Sequence, residues 1–412
     1  MAKMLRAPGR LPTFQALGDR NFRILWTGLA VSAVGTWMQI VALSLLVLEL
    51  TGGSAAALGA VSLVQALSFL LFAPLGGSLA DRRDRRSILI MTQTALMGLA
   101  AALGALTAAG LIQFWMIPVA AFLSSAILSF DQPCRNAFIA SLVPQENLMN
   151  AISLQSAMFN GASILGPALA GLALSAFGYA GAFFLNAASY LAVLSALLLL
   201  KLTSRARTEK PPEKLLASVR EALLYVRRDT VLPSVLAAFG ALLFFGPSAA
   251  LMLPVFASQI LHTGPSQLGL LFSAVGTGTV VSALIVASLG DFRHKGVLLF
   301  GAIVVWAAAL AAFGFSSSLG LSAAALLLLG AAQNASGATA MTLLQTRVPP
   351  AMRGRAMSLN TLLIMCVRPL GDFPAGVLIG VLGLRPAVLL GGAIVAAVAL
   401  TLFATRPALR RA

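Results

Sequence analysis

Gly76-Gly77-Ser78-Leu79-Ala80-Asp81-Arg82-Arg83-Asp84-Arg85-Arg86 places six charges in eleven residues between two long apolar segments. Charge at that density reads as a short loop joining two membrane spans. The glycines permit close helix contact where the preceding segment ends. Asp81 can accept charge-assisted hydrogen bonds from arginines or from the amide end of a neighbouring helix. Such a loop can hold two packed helices in register.

Composition fits that reading. The chain has 412 residues, of which 59% are hydrophobic and 10% charged, and its mean hydropathy is +0.94. This is far more apolar than a soluble domain, and it predicts an all-α polytopic membrane protein. The net charge of +16 does not point to nucleic acid, because the basic residues sit in short gaps between apolar runs and not on a soluble basic face with exposed aromatics. Cys134 and Cys366 fall at or inside predicted spans, without metal-ligand spacing, and read as packing residues. No metal or cofactor is expected, and no nucleophile–base set or phosphate loop points to an enzyme. The first apolar run is longer than a signal-peptide core and reads as an uncleaved span.

Twelve spans follow from the apolar runs, at about 23–51, 55–77, 87–109, 113–131, 147–175, 181–201, 231–258, 266–290, 296–316, 319–345, 355–381 and 386–406. Asp131-Gln132-Pro133-Cys134-Arg135 is expected to close the fourth. Residues 1–200 form a first six-helix half, 201–229 a cytoplasmic linker and 230–412 a second half. Within the linker, Leu216, Val219, Leu223 and Val226 recur at helical spacing and predict an amphipathic helix on the membrane surface. Of the 28 lysines and arginines, all but Arg368 and Arg385 fall in alternate loops and at the termini. Basic loops collect on the cytoplasmic side, so both termini are expected there, in the inner membrane.

An internal repeat supports two similar halves. At an offset of 205, Val143, Pro144, Ala151, Ser153, Leu154, Leu165, Gly166, Ala170 and Gly171 find identical mates between Val348 and Gly376. At an offset of 210, Ser78-Leu79-Ala80-Asp81 is echoed by Ser288-Leu289-Gly290-Asp291. Parallel repeats of this kind build alternating access around a midplane site.

The spacing Gly77-x-Leu79-Ala80-Asp81-Arg82-x-x-Arg85-Arg86 resembles the signature loop of the major facilitator superfamily, departing at Asp84, where that family usually has glycine. The resemblance implies a secondary transporter with a cytoplasmic latch that forms when it opens outward. Asp81 would contact the helix start near Arg353, and Arg85 would pair with Asp131. Arg82, Arg86 and Arg135 join the same charge cluster. In the fifth span, Ala162-x-x-x-Gly166-Pro167-x-x-Ala170-Gly171 is similar to the antiporter motif of drug exporters, with alanines at two glycine positions. The run from Asp131 to Ala151, with Val348-Pro349 and Arg353-Gly354-Arg355-Ala356-Met357-Ser358, resembles the branch of enterobactin exporters and macrolide efflux proteins. Proton-coupled drug exporters of the superfamily usually carry an arginine within the fourth span. Residues 113–130 hold none, so the resemblance leaves proton coupling open.

The cavity candidates are Trp37, Gln39, Gln65, Asn160, Asn186, Tyr190, Gln333, Asn334 and Asn360, polar or aromatic residues scattered through otherwise apolar spans. Such a cavity suits an amphiphilic organic molecule better than a sugar. Among the acids, Glu49 lies near an outer span end and Asp372 inside the eleventh span. Arg368 and Asp372, at i and i+4, share a helical face about 20 Å deep in a ~30 Å core. The two could be a purely structural pair, each neutralising the other; the reading preferred is that Arg368 faces the cavity and touches substrate, with Asp372 holding it or exchanging a proton. The function expected is export of a hydrophobic or amphiphilic small molecule by a monomer in the bilayer. Uptake or facilitated diffusion of a metabolite is the alternative within the fold, and a non-transporting scaffold or sensor the alternative outside it. If the signature loop controls conformation, Asp81→Asn impairs turnover and depopulates the outward-open state while substrate affinity changes less. Loss of equilibrium binding with unchanged interconversion between states would count against that role.

Overall fold

The computed structural model describes residues 12–82, 84–200, 215–290, 292–349 and 352–410. The described elements are helical: α1 (Arg20–Leu50), α2 (Ala55–Arg82), α3 (Arg85–Ala108), α4 (Met116–Leu142), α5 (Leu148–Leu199), α6 (Leu215–Arg228), α7 (Leu232–Phe245), α8 (Ala249–Gln259), α9 (Pro265–Ser288), α10 (Lys295–Phe315), α11 (Leu319–Arg347), α12 (Arg353–Leu362), α13 (Arg368–Leu382) and α14 (Leu384–Thr405). Among the described residues, 11 stretches are long and apolar enough to cross a bilayer. One of them, Gln145–Leu199, has 55 residues. At ~1.5 Å per residue that is about 80 Å, far more than a single crossing needs.

That stretch turns back at Gly178, whose φ of 65° is one that glycine adopts without cost. Both arms pack on α1, in opposite senses. Leu154 and Gly166 meet Trp26 and Val34 in rising order, whereas Asn186, Ser189 and Ala192 meet Gln39, Gly35 and Gly28 in falling order. The reversal makes two spans of one helix and brings the count to twelve, as the apolar runs predict.

Two later spans are interrupted. The seventh breaks between α7 and α8 at Gly246-Pro247-Ser248, where the Ser248 hydroxyl accepts from the Leu251 N–H at 3.2 Å and caps the new helix. The eleventh carries a π-helical turn, Leu363–Val367, between α12 and α13. The fourth span, by contrast, does not end where the sequence suggested. α4 runs through Pro133 to Leu142. The Asp131–Arg135 ion pair at 2.8 Å bridges the proline along one face, and Cys134, Phe138 and Ile139 are buried beyond it, offsetting the backbone bond that proline removes.

In the linker, residues 201–214 lie outside the described residues, and the helical spacing that follows becomes α6. Val226 is buried among Leu232, Leu344 and Val348, and the Tyr225 hydroxyl donates to the Arg347 carbonyl at 3.2 Å. Asp229 lies 3.8 Å from Arg347, and Glu221 pairs with Arg355. The linker helix is thus docked on the ends of α11 and α12.

The sequence repeat reappears as packing. A Cβ on Gly166 would meet the Val34 carbonyl of α1, and one on Gly371 the Phe244 carbonyl of α7. Across the halves, Gly171 abuts Pro265 and Ser266 of α9, and Gly376 abuts Ala55 and Ala56 of α2. Gly59 touches the Asp372 carbonyl as Gly269 touches that of Pro167. These contacts lie toward the ends of the spans that carry the turns at Gly52–Gly53, Gly178 and Gly264, opposite the linker. Replacing Gly371 by leucine should therefore overpack the α7–α13 seam and cost about 1–3 kcal/mol, read as a lower Tm in detergent. The control is Gly98→Leu, which meets open space and should leave Tm unchanged.

Candidate substrate cavity

Between the spans of the first half lies a cavity of about 500 Å3, within the range of small-molecule sites. Its walls are mostly aliphatic, with Leu96, Leu99 and Leu103 of α3 among them, and Trp37 of α1 also lines it. The second half contributes Ala250, Ile364, Met365 and Pro369. A polar string crosses the apolar wall. The Asn186 amide donates to Gln39 Oε1 at 2.5 Å, Ser189 Oγ donates to Asn186 Oδ1 at 3.2 Å, and the Tyr190 hydroxyl is within hydrogen-bonding reach of Thr36 and Asn186. Gln65 completes the set of five foreseen residues that stand on the cavity wall. They converge because α1 packs between the two arms of α5 while α2 and α4 close the opposite side.

The other candidates stand elsewhere. Asn334 donates to Ser282 Oγ at 3.4 Å, bonding α11 to α9. Asn160, Gln333 and Asn360 are half-buried but absent from the cavity wall. Glu49 is exposed at the end of α1 and hydrogen-bonds Tyr179 beside the Gly178 turn.

Arg368 and Asp372 depart from expectation. Ile364, Met365 and Pro369 reach the cavity, but Arg368 is not on its wall. Among the described residues the ion pairs are Asp131–Arg135, Asp229–Arg347 and Glu221–Arg355, so Arg368 and Asp372 do not form one. Asp372, 3% exposed, turns to the broken seventh span instead, where Oδ1 accepts the Ser248 N–H at 2.9 Å. Its carboxylate also reaches Ser62 of α2. The break exposes an N–H that has no partner within its own helix, and a carboxylate at a helix N-terminus is favoured there.

The charge cluster of the signature loop is also arranged differently. Asp131 is fully buried, and its Oδ1 accepts from Thr92 Oγ1 and Gln93 Nε2, each at 2.8 Å. Its ion pair is with Arg135, one turn on, rather than with Arg85. Arg85 donates to the Ala137 carbonyl at 3.3 Å and Arg86 to the Leu198 carbonyl at 3.1 Å. Arg86 thus reaches the last turn of α5, where cations are favoured, and Arg85 a carbonyl five residues before the end of α4. Asp84, the departure from the glycine of the resembled motif, caps α3 by accepting from the Ser87 N–H at 2.9 Å and the Ser87 hydroxyl at 2.7 Å. The hydroxyl bond holds its carboxyl below the usual range. The side chains of Asp81 and Arg82, and the surroundings of Gly77, lie outside the described residues. Arg353 is exposed at the start of α12.

Sequence reasoning placed Arg135 in a loop latch, and the structure puts it in α4 at the edge of the cavity. A second cavity of about 490 Å3, between α4 and the start of α5, shares Gln132, Arg135 and Phe159 with the first. An i,i+4 acid–base pair flanking a proline was the available signal that the helix continues.

Comparison with known proteins agrees with this architecture. The family described as transmembrane secretion effector matches residues 12–411. The MFS-type transporter YfiS of Bacillus subtilis (strain 168) is 27% identical over 389 residues, 90% of this chain and 91% of its own. Macrolide efflux protein A of Streptococcus pyogenes is 22% identical over 92% of this chain and 94% of its own length. The enterobactin exporter EntS of Citrobacter koseri is 30% identical over 243 residues, 59% of this chain and 56% of its own. Among solved structures, a bacterial homolog of the human lysosomal transporter Spinster, in an inward-facing and occupied conformation, superposes with a TM-score of 0.73 at 15% identity, over 98% of this chain and all of that one. A POT family transporter gives 0.76 at 12% identity, over 96% of this chain and 99% of that one. Matched from Pro12 almost to its last residue, the chain belongs to the transmembrane secretion effector family of the major facilitator superfamily.

Proposed function

We propose that the protein exports a hydrophobic or amphiphilic small molecule from the inner membrane by alternating access, as a secondary active transporter. The observation that carries the reading is the mainly apolar cavity with its Gln39–Asn186–Tyr190 string, lying among spans whose contacts across the halves gather at the end opposite the linker. Ser175 and Ser266 hydroxyls at 3.3 Å and the Gln259 amide donating to the Gly53 carbonyl at 3.3 Å add to that closed end. With the basic loops on the cytoplasmic side, both termini and the linker face the cytoplasm and the closed end faces outward. The cavity is then accessible from within, the state in which an exporter loads. Residues 1–200 and 230–412 would act as two bodies, joined by 201–229. Export is the direction named for the relatives EntS and macrolide efflux protein A.

Trp37, Gln39, Gln65, Asn186 and Tyr190 are the proposed contacts for substrate. The signature loop, with Arg85 and Arg86 bound to helix ends in the first half, serves the change of state. The test is uptake of a panel of labelled amphiphiles into everted membrane vesicles, with and without an acid-inside pH gradient. Accumulation of at least one, reduced at least ~10-fold by Asn186→Ala at equal membrane abundance, is expected from loss of a buried hydrogen-bonding group. Dependence on the gradient identifies proton antiport as the coupling. Accumulation in right-side-out vesicles, with none in everted ones, would overturn export.

A further inference from the structure

Charge meets the cavity at Arg135. Among the described residues that line the two joined cavities, Arg135 is the single charged side chain. It pairs with Asp131, but the pair is not presented evenly. Asp131 is 0% exposed and Arg135 13%. Oδ1 of the carboxylate accepts from Thr92 and Gln93 from behind, and one guanidinium nitrogen lies 2.8 Å from Oδ2. A guanidinium carries five N–H donors in a rigid fork, so the pair leaves donors directed elsewhere. The guanidinium also stands 5.7 Å from the centre of the Phe159 ring. Phe159 and Gln132 belong, like Arg135, to the junction of the two cavities. Gln93, 3% exposed and on the cavity wall, has a buried Oε1 without a hydrogen-bond partner. Beyond this junction, toward Leu99 and Leu103, the wall is aliphatic.

We infer that the cavity takes an amphiphile tail-first, its apolar body among α1, α3 and α4 and an anionic head group held by Arg135 at the junction. The inference rests on the cavity being the transport site. Asp131 is a positioning residue: its buried carboxylate fixes the guanidinium at the wall and offsets the cost of burying a charge there. No acid lines either cavity among the described residues, so a cationic head finds no counter-charge there. This assigns to Arg135 the role that the sequence alone suggested for Arg368.

The experiment uses Trp37, which lies on the wall, as reporter. The full chain in phosphatidylcholine nanodiscs is titrated with 10-bromodecanoate and with 10-bromodecyltrimethylammonium. Tryptophan quenching is compared at equal bilayer content, after subtracting the signal of Trp37→Phe. Half-quenching by the carboxylate is expected at ~10-fold lower concentration than by the ammonium, the size expected of a charge-assisted hydrogen bond. Arg135→Gln should erase the preference and Arg135→Lys should keep part of it. Trp37 quenching without a preference for the anion, or a preference that survives Arg135→Gln, overturns the head-group assignment and leaves the cavity as the site. Absence of Trp37 quenching by either probe overturns the site itself. If Arg135→Gln does not fold, the comparison of the two probes on the unaltered chain decides.

Discussion

The architecture depends on backbone meeting backbone at glycine. In a bilayer, apolar side chains gain little by leaving lipid for one another, so helix association relies on close packing and on polar contacts. Gly166 and Gly371 let one span of each half lie against its partner within that half, and Gly171, Gly376, Gly59 and Gly269 do the same between halves. A side chain at any of these positions would meet a carbonyl or Cα of the facing helix. The glycines recur at matching places in the two repeats, which is why the halves present the same seams to one another.

Most of the charge among the spans is admitted where the helices leave a polar group to answer it. Asp372 faces the unpaired amide of the broken seventh span, Arg85 and Arg86 face carbonyls near helix ends, and Asp131 is surrounded by three donors. Each lies where a regular helix stops or where a neighbour supplies donors, in keeping with the high cost of an unanswered charge in hydrocarbon. The same rule explains the cavity. Among the described residues, the one charged side chain on its wall is the accessible partner of a pair whose other member is buried.

Much of this was legible in the chain. Apolar runs and the charged Gly76–Arg86 stretch gave the spans, although α2 continues through that stretch to Arg82 and leaves only a short break before α3; the repeat pointed to two similar halves, and the linker spacing became α6. Five cavity residues were recognisable because a polar group inside an apolar helix needs a partner, and Gln39 and Asn186 are each other's. That criterion cannot tell a cavity from a helix seam, which is how Asn334 came to be grouped with them. Side-chain direction was the larger gap. A shared helical face places Arg368 near Asp372, but the break at Gly246-Pro247-Ser248, distant in sequence, draws the carboxylate away. At Pro133, a residue that often ends helices concealed the continuation of α4, and with it the place of Arg135.

The Gly178 turn bears on how the protein is made. Spans five and six are joined without an intervening polar loop, and Leu148–Leu199 is interrupted at one residue. A chain emerging from the ribosome therefore offers the insertion machinery no hydrophilic segment to separate the two crossings, which favours their entry as a hairpin. α1 lies along both arms and is synthesised before either. It is thus in place as the surface on which that hairpin closes.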